Sequence, residues 1–416
     1  FFHPDDVIRD SSLRLVGSEM CIRDRVKLIQ HPRYIDESKC IACGICAEKC
    51  PKKIIDTYNM GLAKRKSAYV EYAQAVPLKY AIDPDSCIYL KKGKCGACKK
   101  FCEADAIDFD QKEEKQTLQV GSVILAPGFK PFDPSRFDNY QYANLPNVVT
   151  SMEFERILSA SGPTMGHVTR RSKDKAEPKR IAWFQCVGSR DLNKCDNFYC
   201  SSVCCMYAIK EAVIAKEHIG EDLDCSVFYM DMRTHGKEFE RFYENAKTKH
   251  GINFIRSRVH TVNPVPETDD LEIRYVTENG EIVSEIFNMI VLSVGLETSP
   301  EIVSLAQKLG VDLTEGNFCK TSSFDPVLTS KEGIYVCGAF QGPKDIPQAV
   351  VDASAAAAAA GEKLAAARNT LIKTPEKLVE KNIFGERPRI GVFVCKCGIN
   401  IAGVVDVPGV AAVSYT

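Results

Sequence analysis

The sequence predicts an α/β chain of doubly wound type, interrupted near its start by a small cysteine-rich α+β module. Three observations carry this. Two cysteine runs stand at 40–50 and at 87–102. Two apolar stretches, Leu118 to Gly128 and Met289 to Gly295, each read as a buried strand ending in a small-residue turn. Residues 179–263 alternate between strand-type and helix-type patterns, as a doubly wound unit does.

Size and composition bound the rest. At 416 residues the chain has room for two or three domains. Its 54 basic and 55 acidic residues nearly cancel, which argues against a nucleic-acid or membrane-surface binder. The 19 cysteines cluster in triplets and pairs and lack the dispersed pattern of a secreted disulfide scaffold, so a reducing cytoplasm is expected. No apolar run is long enough to span a membrane, and the Ala355 to Ala360 stretch is far too short.

Residues 1–25 show no clear period and no secretory pattern. They read as an artefactual leader resembling translated adapter sequence, or as a disordered one, with no role for Cys21. Residues 34–110 form the cysteine module. Its first run, Cys40-Ile-Ala-Cys43-Gly-Ile-Cys46-Ala-Glu-Lys-Cys50-Pro51, has the C-x2-C-x2-C-x3-C-P spacing that wraps a cubane iron–sulfur cluster, the fourth cysteine serving a second cluster. The second run places Cys87, Cys95, Cys98 and Cys102 with Glu103 where proline would stand. Three thiolates from one tight loop leave the fourth corner of each cube to the other run, because the chain then departs as a helix. Cys40, Cys43 and Cys46 therefore pair with Cys102, and Cys87, Cys95 and Cys98 with Cys50. Structural zinc knuckles are the competing reading, but they use two pairs and not triplets. Between the runs, Lys64-Arg65-Lys66 reads as a solvated basic loop or, more sharply, as a docking patch for an acidic partner.

The strand ending at Gly128 opens a segment, 111–178, that reads as part of a flavin-binding domain. Met289 to Gly295 repeats the motif, and two copies of such a strand and turn recur in two-dinucleotide-domain flavoproteins. Residues 179–295 form the second α/β unit. Strands are expected at 180–185, 226–231 and 252–256, helices at 202–218 and 237–249, and a hairpin through Glu278-Asn279-Gly280. A dinucleotide fold would carry a glycine-rich phosphate loop after its first strand. Gln185-Cys186-Val-Gly188-Ser-Arg190 stands there instead, followed by Cys195 and Cys200-Ser-Ser-Val-Cys204-Cys205. Cys186, Cys200, Cys204 and Cys205 could ligate a third cluster, form a redox dithiol or serve structure, with Cys195 as a reserve ligand.

Residues 296–372 return to the first domain. Gly338, Gln341, Gly342, Lys344, Asp345 and Ile346 lead from a short strand into a helix that Asp345 caps and Pro347 joins in its first turn. Such a helix start faces the flavin in this architecture, where its partial positive charge stabilises the anionic reduced ring. Gly128, Gly295 and these six residues are the candidate cofactor contacts. Residues 388–416 begin a further, truncated unit in which Cys395 and Cys397 receive no role.

Cys186-Val-Gly-Ser-Arg-Asp191, Tyr199-Cys-Ser-Ser-Val-Cys-Cys-Met-Tyr-Ala208 and Gly342-Pro-Lys-Asp-Ile346 resemble the A-type iron–sulfur flavoprotein of heterodisulfide reductases. The resemblance covers roughly residues 34–370. It implies a thioredoxin-reductase-like FAD domain with several 4Fe–4S clusters and an inserted two-cluster ferredoxin domain. It also places the third cluster on Cys186, Cys200, Cys204 and Cys205. The implied partners are disulfide-reducing subunits of B and C type, a hydrogenase or formate dehydrogenase input module, and a ferredoxin. The family's glycine-rich FAD loop lies upstream of its insert and has no counterpart here, so the chain reads as a fragment that is inactive by itself. No side chain is expected to act as acid, base or nucleophile. The competing functional readings are a self-contained NAD(P)H-dependent reductase of the glutamate synthase small-subunit type and a zinc-binding scaffold.

Overall fold

The computed structural model describes residues 13–15 and 25–414, except 73, 137, 371, 373, 375–378, 396–400, 402 and 403. Within them, the expectation for the leader meets a short strand, Leu13–Leu15, paired antiparallel with Leu28 to Gln30.

The centre of the molecule is a five-stranded, wholly parallel sheet in the order Val148–Thr150, Met289–Val294, Arg180–Val187, Asp224–Tyr229, Asn253–Arg256. Every residue of Met289–Val294 is buried, so this strand reads as an apolar run broken by Ser293. Successive side chains point to opposite faces. Ile181, Trp183, Met289 and Val291 face helices Ser151–Leu158 and Cys204–Ile219, while Ala182, Phe184, Ile290 and Leu292 face the other way. That second face is covered by an antiparallel meander, Val262–Pro264, Leu271–Val276 and Ile282–Phe287. The unit is thus a sheet between helices and a meander, where a doubly wound reading puts helices on both faces. Phe228 fixes the contact, meeting Phe184, Tyr275 and Phe287 edge-on.

A second, smaller parallel pair, Val123–Leu125 with Ile334–Val336, packs under helices Pro300–Leu309 and Ile346–Lys363. The two units are joined by antiparallel pairing of Lys130–Pro131 with Leu296–Glu297, where the chain crosses between them in each direction.

The cysteine module stands on a stalk. Arg25–Gln30 runs antiparallel to Glu114–Gln119 over its full length, so the chain enters and leaves side by side. Leu118 and Gln119 belong to this ladder, which shortens the expected apolar strand to Val123–Leu125. Inside lie two small hairpins, Lys53–Ile55 with Lys64–Lys66 and Ala68–Tyr69 with Ala81–Ile82. Three short helices follow the cysteine loops: Ile45–Glu48, Ile88–Lys92 and Ala97–Lys100. The Lys64-Arg65-Lys66 triplet is therefore a strand. The Arg65 guanidinium lies 3.6 Å over Tyr69 and pairs with Asp83 at 3.3 Å, and the Lys66 ammonium donates to the Cys50 carbonyl. Neither a solvated loop nor a docking patch describes it, because two of its three cations are engaged within the module.

Candidate functional site

The module brings its eight cysteines into two separate pockets. Cys40, Cys43, Cys46 and Cys102 line one, with Ile35, Ile41, Tyr80 and Ile107. Cys50, Cys87, Cys95 and Cys98 line the other. Each pocket holds about 330 Å³ of atom-free space, part of it open to solvent. Each draws three cysteines from one run and one from the other, in the sets that the spacing predicts. The local cause is visible in the backbone. Gly44 and Gly96 adopt left-handed conformations just before helices Ile45–Glu48 and Ala97–Lys100, which turns each loop around its pocket. A Cβ on Gly44 would lie 3.0 Å from the Tyr80 hydroxyl, so the loop and the tyrosine close the first pocket together.

The arrangement fits a cluster better than an ion. Among the described residues no three Cys, His, Asp or Glu side chains converge to hold a single metal ion, whereas four thiols surround each cavity. Burial pushes the Cys46 thiol up to about 12 and the Cys98 thiol up to about 11, with neighbouring thiols adding to the rise. Such thiols shed their protons only when a metal supplies the opposing charge. The amide of Ala106 donates to Cys102 Sγ at 3.4 Å, a bond of the kind that raises cluster potential. Cys98 adds to the negative environment of Cys46, and helices Ile45–Glu48 and Ala97–Lys100 pack together, so the two pockets are neighbours.

The second cysteine group sits at the carboxyl end of Arg180–Val187, the central strand of the five-stranded sheet. Arg180–Val187 shifts register between Phe184 and Val187, and Cys186 takes a φ of 60° in that irregularity. Gly188 follows with a φ of 78°, and a Cβ there would meet the Phe132 ring at 2.0 Å, so only glycine fits. Ser202 repeats the left-handed turn at a φ of 65° and folds the Cys200 loop back before helix Cys204–Ile219 begins. Cys186, Cys200, Cys204 and Cys205 are close enough that the thiols raise one another's proton affinity, after the larger effect of burial. Burial lifts Cys204 strongly and Cys205 to about 11. A redox dithiol needs a low-pKa attacking thiol, and the burial of Cys186, Cys204 and Cys205 works against one at those three positions. Cys195 stands apart, its thiol donating to the Asp191 carbonyl at 3.2 Å inside a tight turn.

The four cysteines also have charged neighbours to which the sequence alone assigns no part. Arg190 pairs with Asp231, and Arg233 reaches the same carboxylate at 3.2 Å. Arg190 lies beside Cys186 and Arg233 beside Cys200, each within hydrogen-bonding reach. Arg190 falls inside the Cys186-to-Asp191 motif, which was the available signal; Asp231 and Arg233 lie in the segment just after strand Asp224–Tyr229, which carries none.

The expected flavin contacts divide into two groups. Gly128 and Gly338 follow the parallel neighbours Val123–Leu125 and Ile334–Val336, so they share the carboxyl edge of that sheet. Gln341 donates to Thr321 at 2.9 Å, and the nearly buried Lys344 ammonium bridges Gln341 and Asp352. Asp345 caps helix Ile346–Lys363 by accepting from the Gln348 amide at 2.8 Å, with Gly342 just before it and Ile346 largely exposed at the first turn. Gly295 lies elsewhere. A Cβ there would fall 2.6 Å from Ser201 Oγ and 3.1 Å from the Gly188 carbonyl, so its smallness serves the packing of the Cys186–Cys205 loop. Cys395 is exposed; Cys397 lies outside the described residues.

Residues 33–56 match the family model described as 4Fe-4S binding domain, and residues 223–357 match the one described as pyridine nucleotide-disulphide oxidoreductase. Among curated proteins, the chain is 42% identical over 337 residues to the A-type iron–sulfur polypeptide of the CoB–CoM heterodisulfide reductase of Methanocaldococcus jannaschii, covering 80% of this chain and 50% of that one. The A-type polypeptide of the H2/formate:CoB–CoM heterodisulfide, ferredoxin reductase of Methanococcus maripaludis is also 42% identical, with the same coverage. Its counterpart in the ferredoxin:CoB–CoM heterodisulfide reductase of Methanosarcina acetivorans is 36% identical over 364 residues, covering 80% of this chain and 44% of that one. Among solved structures, Lactococcus lactis thioredoxin reductase aligns with a TM-score of 0.40 at 16% identity, over 72% of this chain and 86% of that one. The chain spans about half the length of the curated relatives it matches. The expected cofactors, 4Fe–4S clusters and FAD, agree with the two family matches and the relatives.

Proposed function

We propose, from the premise that the chain belongs to the family of A-type iron–sulfur flavoproteins of heterodisulfide reductase, that it carries electrons within an oxidoreductase complex. The observation that supports this most directly is the crossed assembly of two cysteine quartets around two adjacent pockets. In this reading Cys40, Cys43, Cys46 and Cys102 hold one 4Fe–4S cluster and Cys50, Cys87, Cys95 and Cys98 another. Cys186, Cys200, Cys204 and Cys205 hold a third, with Arg190 and Arg233 placed to donate to its sulfurs. The clusters, when bound, supply one-electron storage; the chain fixes their spacing, buries them and sets their potentials through amide and guanidinium donors.

FAD is held in part at the carboxyl edge where Gly128 and Gly338 meet. Gln341, Gly342, Lys344, Asp345 and Ile346 shape the approach, and the start of helix Ile346–Lys363 offers its positive end. Gly295 keeps the two units in register beside it. The relatives' names carry H2 or formate, a ferredoxin and the CoB–CoM heterodisulfide; to these we assign a hydrogenase or formate dehydrogenase module, a ferredoxin and, from the family resemblance, a disulfide-reducing pair of B and C type. With twelve of its 19 cysteines assigned to clusters and no dispersed disulfide pattern, we assign the reducing cytoplasm as the working compartment; among the described residues no helix is long and apolar enough to cross a membrane. The NAD(P)H-dependent alternative is disfavoured, because Cys186 and its turn occupy the place of a nucleotide loop.

Anaerobic iron, sulfide and flavin analysis with EPR of the dithionite-reduced protein tests the reading. About twelve irons per chain support three cubanes, and about eight restrict the clusters to the module. Stoichiometric zinc without iron overturns it.

A further inference from the structure

The chain between Cys186 and Cys200 reaches well beyond the thiols at its ends. It folds back as a small hairpin: the Arg190 amide donates to the Tyr199 carbonyl at 3.0 Å, and Asp191 and Asn197 exchange backbone bonds at 2.8 and 3.2 Å. Asp191 pairs with Arg258, which anchors the hairpin to the central unit. Its other side meets the junction where Lys130–Pro131 pairs with Leu296–Glu297. The Asn197 side-chain amide donates to the Gly188 carbonyl at 2.9 Å and to Glu297 Oε1 at 2.8 Å, and Glu297 in turn holds Arg136. The Tyr199 hydroxyl donates to the Leu296 carbonyl at 2.9 Å, while Ser201 Oγ accepts from the Leu296 amide at 2.9 Å. The Tyr199 ring then crosses into the second unit, edge-on to Phe318 at 4.9 Å. Phe132, which follows the other junction strand, lies against Gly188. Both strands that join the two units therefore rest on the loop that carries Cys186 and Cys200.

We propose that this hairpin is a clamp which loading of the third cluster closes, so that Asn197 and Tyr199 hold the flavin-bearing unit in one fixed orientation to the central unit. The proposal rests on the reading of Cys186, Cys200, Cys204 and Cys205 as ligands of a cluster. A group bound by both ends of a loop removes the freedom of the chain between them. The junction needs such support, because its strands are two residues each and a ladder that short is marginal alone. Asn197 and Tyr199 are positioning residues. They act through the junction, which leads directly from Gly128 on one strand and Gly295 on the other. The fold's task in such a protein is to place cofactors against one another, and a loose junction would let the two units drift apart.

Hydrogen–deuterium exchange of the reconstituted chain tests this, with iron assayed in the same samples. The unaltered chain should hold about twelve irons and protect the amides of segments 129–133 and 294–299. Cys200→Ser removes one ligand of the third cluster. It should hold about eight irons and exchange about tenfold faster at those segments, with strand Asp224–Tyr229 as protected as before. Asn197→Ala/Tyr199→Phe should keep about twelve irons and show the same fast exchange. Asn193→Ala, on the exposed turn of the same loop, should behave as the unaltered chain does. Adding Asn197→Ala/Tyr199→Phe to Cys200→Ser should change nothing further, since the clamp is already open. An additive acceleration would mark the two side chains as merely structural and overturns the proposal. Unchanged protection in Cys200→Ser with about eight irons, or in Asn197→Ala/Tyr199→Phe with about twelve, sinks the clamp alone. An unaltered chain with only about eight irons sinks the third-cluster reading and the clamp together.

Discussion

At the scale of single residues, the crossed cysteine pairing makes a prediction that ordinary single substitutions would blur. Cys50 lies four residues after Cys46 but faces the pocket of Cys87, Cys95 and Cys98. Residues that act on one cluster are non-additive, while residues on separate clusters add. Cys50→Ser/Cys87→Ser should therefore lose about four irons, and Cys50→Ser/Cys102→Ser about eight. Iron analysis of the two double variants decides it; equal losses would mean that each run holds its own cluster. Glu211 supplies a second residue-scale prediction. Its carboxyl lies fully inside the core, accepts from Trp183 Nε1 at 2.9 Å, and is pushed well up by burial and by the nearby Glu155. A carboxyl with a raised folded-state pKa costs nothing below its unfolded value, near 4.3. Above that, the unfolded chain ionises while the folded one stays neutral, so stability falls by about 1.4 kcal/mol per pH unit until the folded group also ionises. Glu211→Gln should flatten that slope between pH 5 and pH 7 in denaturant titrations, a window set by about 4.3 at its lower end. An unchanged slope would remove Glu211 as its source.

At the scale of elements, much of the architecture was legible because burial writes itself into composition. Met289–Val294 and Arg180–Val187 are mostly apolar, broken by Ser293, Arg180 and Gln185, because both faces of a parallel strand are covered, and both were placed within a residue or two. The Asp345 cap was readable for the same reason, since a capping side chain and a first-turn proline are local chemistry. What failed was non-local. Nothing in Arg25–Gln30 announces a partner at Glu114–Gln119, because the ladder is specified by which face each strand buries once the module between them has folded. The Lys64–Lys66 triplet misled in the opposite sense, since its charge was visible and its partners Asp83, Tyr69 and the Cys50 carbonyl were not. Gly295 carried a small-residue signal to which packing against Ser201 and Gly188 also contributes, a contact the sequence does not announce. The helix Ser151–Leu158 offers a direct test of an element's contribution. Thr150 and Glu153 form a reciprocal capping box, Thr150 Oγ1 accepting from the Glu153 amide and Glu153 bonding back at 2.7 Å. Thr150→Ala should destabilise the central unit by about 1 kcal/mol, and Thr150→Ser should recover most of it, both read from the denaturation midpoint.

At the scale of the molecule, the two parts rest on different foundations. The five-stranded unit is closed by two large apolar cores, one under its helices and one under its meander, with Trp183, Phe154 and Phe287 fully buried. The cysteine module has a core of only a few residues, and three of them, Cys40, Cys46 and Cys87, are thiols of the proposed clusters. A module this small seldom buries enough apolar surface to fold unaided, and its cysteine loops have nothing else to wrap around. Cluster binding is then folding energy for the module, as metal binding is for other small metal-dependent domains. Stripping iron with a chelator under reducing conditions should expose residues 34–110 to protease while a fragment spanning 148–294 stays resistant. The near-ultraviolet signal of Trp183, the only tryptophan in the chain, should persist as well. A module that survives chelation intact would show that it folds without its clusters, and a central unit that melts as well would show that the cluster of Cys186, Cys200, Cys204 and Cys205 also carries part of that unit's stability.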